Sequence, residues 1–154
     1  MAGSKATLKA GLLTQLETQL TAARRAHEAA ASAATDDEAR PENDKDTRGL
    51  EQSYLARGHA QRVAELETAI AIVETFAPRA FRDSDPIALG AVITIDEDEK
   101  SRTLWLAPHG GGIELSGGVT VVTPTSPLGK ALLGKRVDDE IELGKRTLTV
   151  TDVA

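Results

Sequence analysis

Thr125-Ser126-Pro127-Leu128-Gly129-Lys130-Ala131-Leu132-Leu133-Gly134-Lys135 spells out both ends of a short helix. Ser126 is a strong N-cap residue, and Pro127 follows at the first helical position, where its missing N–H costs nothing. Gly134 can close the helix in a left-handed conformation. An apolar, β-like run from Val119 to Val122 precedes the stretch, and a β-rich tail from Glu140 to Val153 follows it. A helix between strands, with Leu128, Leu132 and Leu133 to lay on a sheet, makes this part of the chain a small α+β domain.

The remaining strands are read outward from that helix. Ala91-Val92-Ile93-Thr94-Ile95 is one strand, Asp96 to Ser101 a charged turn, and Arg102-Thr103-Leu104-Trp105-Leu106 the return. Pro108-His109-Gly110-Gly111-Gly112 is a loop, and Val119 to Thr123 a third strand. Ile141-Glu142-Leu143 and Thr147-Leu148-Thr149-Val150 make a last hairpin around Gly144-Lys145. The order β-β-β-α-β-β predicts an antiparallel sheet with one helix on a face, large enough for a modest core. Gly110-Gly111-Gly112 is no phosphate cradle, because Ile113-Glu114 stands where a P-loop needs Lys-Ser or Lys-Thr.

The first half has a different period. Leu13, Leu16, Leu20, Ala23, His27, Ala30 and Ala34 alternate three and four apart, as do Ala56, His59, Val63, Leu66, Ile70, Val73 and Ala77. That is the spacing of a heptad seam. Residues 35–49 between them are polar and acidic, so the two helices are expected to fold back into an antiparallel hairpin. Each arm of about 27 residues would be roughly 40 Å long. His27 and His59 lie equally far from Asn43 and are expected in one layer, as a polar pair fixing register. Pro78 ends the second helix. The expected organisation is a hairpin over 1–79, a linker over 80–86 and a sheet domain over 87–154.

Composition narrows the function classes. The 154 residues carry a formal charge of −6, which argues against a protein that coats free nucleic acid. The lack of cysteine excludes disulfides and thiolate metal sites. Met1-Ala2-Gly3-Ser4-Lys5 has no apolar core of signal-peptide length, so a cytoplasmic protein without a membrane segment is expected. Heptads satisfied within one hairpin favour a monomer. No Ser/His/Asp set has hydrolase spacing, and Trp105 and Phe81 are too few to line a prolyl isomerase pocket.

The Ser126 to Lys135 stretch, followed by Asp138-Asp139-Glu140, resembles the C-terminal signature of the bacterial Gre transcript-cleavage factors. Hairpin, linker and β-rich domain come in the order that family has. The resemblance implies an FKBP-like fold for the C-terminal domain and bacterial RNA polymerase as partner. It implies docking through Thr125, Ser126, Pro127, Leu128 and Lys130, and a hairpin that enters the polymerase secondary channel near nascent RNA. Glu42-Asn43 is similar to the Glu-Asn of the family's tip motif, where an Asp three residues earlier helps hold a catalytic magnesium ion. Here that position is Ala39. Asp37, Glu38 and Asp44 are the nearby acids that remain as catalytic candidates beside Glu42, with Glu42, Glu38 and Asp37 as metal ligands. Hard magnesium takes such oxygens. The chain would then stimulate the polymerase's own cleavage and would not be a free-standing enzyme. A channel-binding regulator without cleavage, and a coiled-coil adaptor for another protein, remain open.

Overall fold

The computed structural model describes residues 4–38 and 43–154, and the side chains among these except at 34–38, 43–49, 52 and 53. Two helices come first, α1 (Lys5–Glu38) and α2 (Asn43–Thr75). Ser4 starts α1 as its N-cap: its hydroxyl accepts the Thr7 N–H at 3.2 Å, and its carbonyl accepts the Leu8 N–H at 2.9 Å. The second helix ends at Thr75, ahead of Pro78, so Ala77 lies beyond it and is exposed. A proline disfavours helical backbone in the residue before it, which accounts for the early stop.

By contacts the chain forms two compact units, Gln15–Ile70 and Met1–Thr14 with Ala71–Ala154. The first is helical. Leu16, Leu20, Ala23, Ala30, Leu66 and Ala69 are buried in it. Arg62 reaches Gln19 at 3.1 Å and His27 reaches the Ala56 carbonyl at 3.1 Å, so positions rise along α2 as they fall along α1. The pairing is antiparallel. Because a carbonyl only accepts, His27 must carry its proton on Nδ1. The imidazole thus bonds backbone, not the expected layer partner His59. The exposed Arg24–Glu67 pair adds little.

The other unit holds a six-stranded sheet. Its strands are β1 (Val92–Glu97), β2 (Lys100–Leu106), β3 (Glu114–Leu115), β4 (Val119–Val122), β5 (Glu140–Leu143) and β6 (Arg146–Val153), with helix α3 (Pro127–Leu132) between β4 and β5. The spatial order is β3-β4-β2-β1-β6-β5. Asp98 and Glu99 both take positive φ, 50° and 64°, between the paired Glu97 and Lys100, so a tight two-residue turn joins β1 to β2. Pairing is antiparallel except between β2 and β4, which run parallel. That pair corrects the expected all-antiparallel sheet: the connection 107–118 is long enough for a crossover, which a parallel pair requires. It also carries β3, a strand too short to leave an alternating pattern.

Alternation sends β2 side chains to two buried faces. Leu104 and Leu106 join Ile93, Ile95, Val122, Leu132, Ile141, Leu148 and Val150 in one core. Trp105, fully buried, points the other way with its register partners Val92 and Val121. Its indole N–H donates to the Gly90 carbonyl at 3.2 Å. In the same unit, the start of α1 lies against the 110–115 loop. A Cβ on Gly110 would stand 2.5 Å from Leu12, and one on Gly11 would stand 3.6 Å from Leu115. The buried side of α1 here runs Leu8 and Leu12, while Leu13, the expected seam residue, is half-buried.

Candidate functional site

Helix α3 is built as its letters predict. The Ser126 hydroxyl accepts the Gly129 N–H at 3.0 Å and donates to the Thr123 carbonyl at 2.9 Å. Pro127 occupies the first turn and Gly134 takes φ 80° just past the end. Backbone bonds then tie that end to the sheet domain: Gly134 N–H to the Ile87 carbonyl at 2.8 Å, and Ile87 N–H to the Lys135 carbonyl at 2.7 Å. Leu132 is buried and Leu128 packs half-buried against the core. Leu133, expected to face the sheet, is instead the exposed C-cap residue. One residue past Leu132 turns it by ~100°, off the buried face.

Gly129 has a steric reason for its place. A Cβ there would lie 1.8 Å from the Thr123 carbonyl oxygen. The helix therefore sits directly on the 123–126 turn, and only glycine allows that approach. A second hydroxyl contact, Thr123 to Thr125 at 3.3 Å, lies on the same turn.

The five docking candidates separate into two kinds. Ser126 and Leu128 build the helix: one spends its hydroxyl in both directions on the cap, and the other packs against the core. Thr125, Pro127 and Lys130 are exposed and present the outer rim. Beside this rim is a groove of about 350 Å³, lined by Gly111, Gly112, Thr120, Thr123, Ser126 and Leu128 among others. The glycine loop and Thr120 carry no signal in the sequence that would bring them here, because they meet α3 only through the β2–β4 crossover.

The tip candidates stand differently. Glu42 lies outside the described residues, as do the side chains of Asp37, Glu38 and Asp44. By backbone, Asp37 and Glu38 fall at the end of α1, and Asp44 in the first turn of α2. Among the described residues no group of three or more acids, histidines or cysteines is placed to hold a metal ion. No helix among the described residues is long and apolar enough to cross a membrane.

Residues 82–154 match the family described as "Transcription elongation factor, GreA/GreB, C-term". These residues, just under half of the chain, are similar to the C-terminal domain of that family. Over 82 residues it is 34% identical to the transcription elongation factor GreA of Novosphingobium aromaticivorans, a match covering 53% of this chain and 49% of that protein. Over 83 residues it is 32% identical to the GreA of a Bradyrhizobium species, covering 53% and 51%. The match thus spans about half the length of these curated relatives. The crystal structure of GreA factor homolog 1 (Gfh1) of Thermus thermophilus is 22% identical with a TM-score of 0.40, over 92% of this chain and 94% of that one. The capped Ser-Pro helix and its exposed rim lie wholly within the matched segment, as does the whole sheet.

Proposed function

We propose that this chain acts as a GreA/GreB-family factor on bacterial RNA polymerase, docking through the exposed rim of α3 and presenting the acidic segment between α1 and α2 to the polymerase secondary channel. The observation that carries this is the rim itself: Ser126 and Gly129 lock the helix to Thr123, which leaves Thr125, Pro127 and Lys130 displayed on a rigid base. A surface held by backbone-level contacts needs little ordering on binding, which favours recognition.

The six carboxylates of 36–46 are the chemistry such a segment can deliver. They are hard oxygen donors of the kind magnesium prefers. Glu42, with Glu38 and Asp37, would hold the ion, and Asp44 would stand on the α2 side. Magnesium bound there would supply a metal-activated water near the transcript. The carboxylates' own part is to place the charge inside a confined channel; in open solvent salt screens it beyond ~8 Å.

Ala39 supports a second reading. Where the family motif has an aspartate, this chain has no ligand, and an acidic segment lacking it would occupy the channel and alter nucleotide entry without cutting RNA. A defined, backtracked polymerase complex with labelled RNA separates the readings. Cleavage by wild type that is lost in Glu42→Ala, with binding kept, supports the first. Binding without cleavage, with cleavage gained in Ala39→Asp, supports the second. Absence of binding removes both and leaves the coiled-coil adaptor.

A further inference from the structure

Two lysines one turn apart on α1, Lys5 and Lys9, face the end of α2. The Lys9 ammonium donates to the Glu74 carbonyl at 2.7 Å and to the Phe76 carbonyl at 2.8 Å. Lys5 donates to the Arg79 carbonyl and stands 4.7 Å above the centre of the Phe81 ring, which the Arg79 guanidinium also covers at 4.0 Å. All these residues belong to the unit formed by Met1–Thr14 and Ala71–Ala154.

The last carbonyls of a helix have no partner within it and carry partial negative charge. A basic side chain in the helix's own last turn often answers them, but α2 has none there. Lys9 supplies that charge from the other helix. The segment also packs closely on Gly90: a Cβ there would stand 3.1 Å from the Phe76 ring and 3.5 Å from Pro78. Residues 74–81 thus meet two ammonium groups and the Gly90 turn. Lys5 is the weaker half, since burial and then the charge of Arg79 hold its pKa below the ordinary lysine value.

We propose that Lys9, seconded by Lys5, is a positioning residue: it clasps the end of α2 to the start of α1, so that the hairpin is closed at its base when the tip acts. The second clause rests on the function proposed above; the clasp does not. Charge-assisted bonds to two carbonyls are strong for single contacts, and they sit where a helix frays most readily.

The test compares Lys9→Met, which keeps the aliphatic stem but removes every donor, with Lys9→Arg, which keeps charge and donors. Amide hydrogen exchange on the full chain is expected to be about tenfold faster at 72–79 in Lys9→Met, restored in Lys9→Arg, and unchanged in β1 and β2. Unchanged exchange at 72–79 would overturn the clasp, and so would an equal rise throughout the sheet. With polymerase, Lys9→Met is expected to keep the half-maximal concentration within about twofold while the maximal tip effect falls. A parallel loss of both would show a mere stability effect and overturn the positioning role. If wild type has no effect on polymerase, the proposed function and the tip role fall together, and exchange alone decides the clasp.

Discussion

Single residues around α3 have separable jobs. Ser126→Ala removes a cap and is expected to cost about 1 kcal/mol. Gly129→Ala forces a methyl onto the Thr123 carbonyl and is expected to cost about 1–3 kcal/mol, the larger loss despite the smaller chemical change. Urea unfolding of the two variants checks the order. Two ionisable sites give opposite acid behaviour. Burial first, then the charge and hydrogen bond of Asp83, push the Asp152 carboxyl above its ordinary 3.8. A raised folded value means a contribution that is full below the unfolded value and lost as pH rises through the folded one. Asp152→Asn is therefore expected to raise the stability at pH 7, by less than about 1 kcal/mol for so exposed a pair, with the gain gone in strong acid. Glu97 is the reverse. The Arg146 hydrogen bond lowers its pKa from 4.5, so its contribution holds above that value and is lost as pH falls through the folded one. Glu97→Gln should melt lower than wild type at pH 7, and the two curves should converge in acid. Melting curves from pH 2 to 8 check both signs.

At the scale of elements, heptad spacing located both helices correctly because a buried stripe repeats along the chain itself. The stripe failed at its outer positions, Leu13 and Ala77. Near the start of α1 the buried residues are Leu8 and Leu12, not Leu13, because that segment lies against the 110–115 loop of the sheet unit. Leu12→Ala is expected to cost about 2–5 kcal/mol, and Leu13→Ala less than about half of that. Equal losses in thermal unfolding would contradict the packing described. Five of the six strands, all but β3, were also legible from alternation and turn residues, down to the Gly144-Lys145 hairpin. The direction of β4 was not. An apolar strand reads alike whether its neighbour runs parallel or antiparallel, and the partner is chosen by a crossover that leaves no periodic trace.

Over the whole molecule, the sheet unit is more than the matched family domain. It includes Met1–Thr14, whose Gly11 and Leu12 lie against Leu115 and the Gly110 loop, and it includes the end of α2. A fragment of residues 82–154 is expected to bind an apolar dye and melt with poor cooperativity, whereas the full chain does neither; a sharp, dye-free melt of the fragment would show that it folds without the helix ends. The sequence by itself determined what is local or periodic: the Ser126 cap, the Pro127 start, the Gly134 stop, the two seams, and the acidic run between them. These need only neighbours three or four residues away, so the order of letters suffices. The tertiary structure alone decided the parallel β2–β4 pair, the groove beside α3, the Gly129 contact with Thr123 and the Lys9 clasp. Each joins elements brought together by burial, and no residue in any of them announces its partner in the chain.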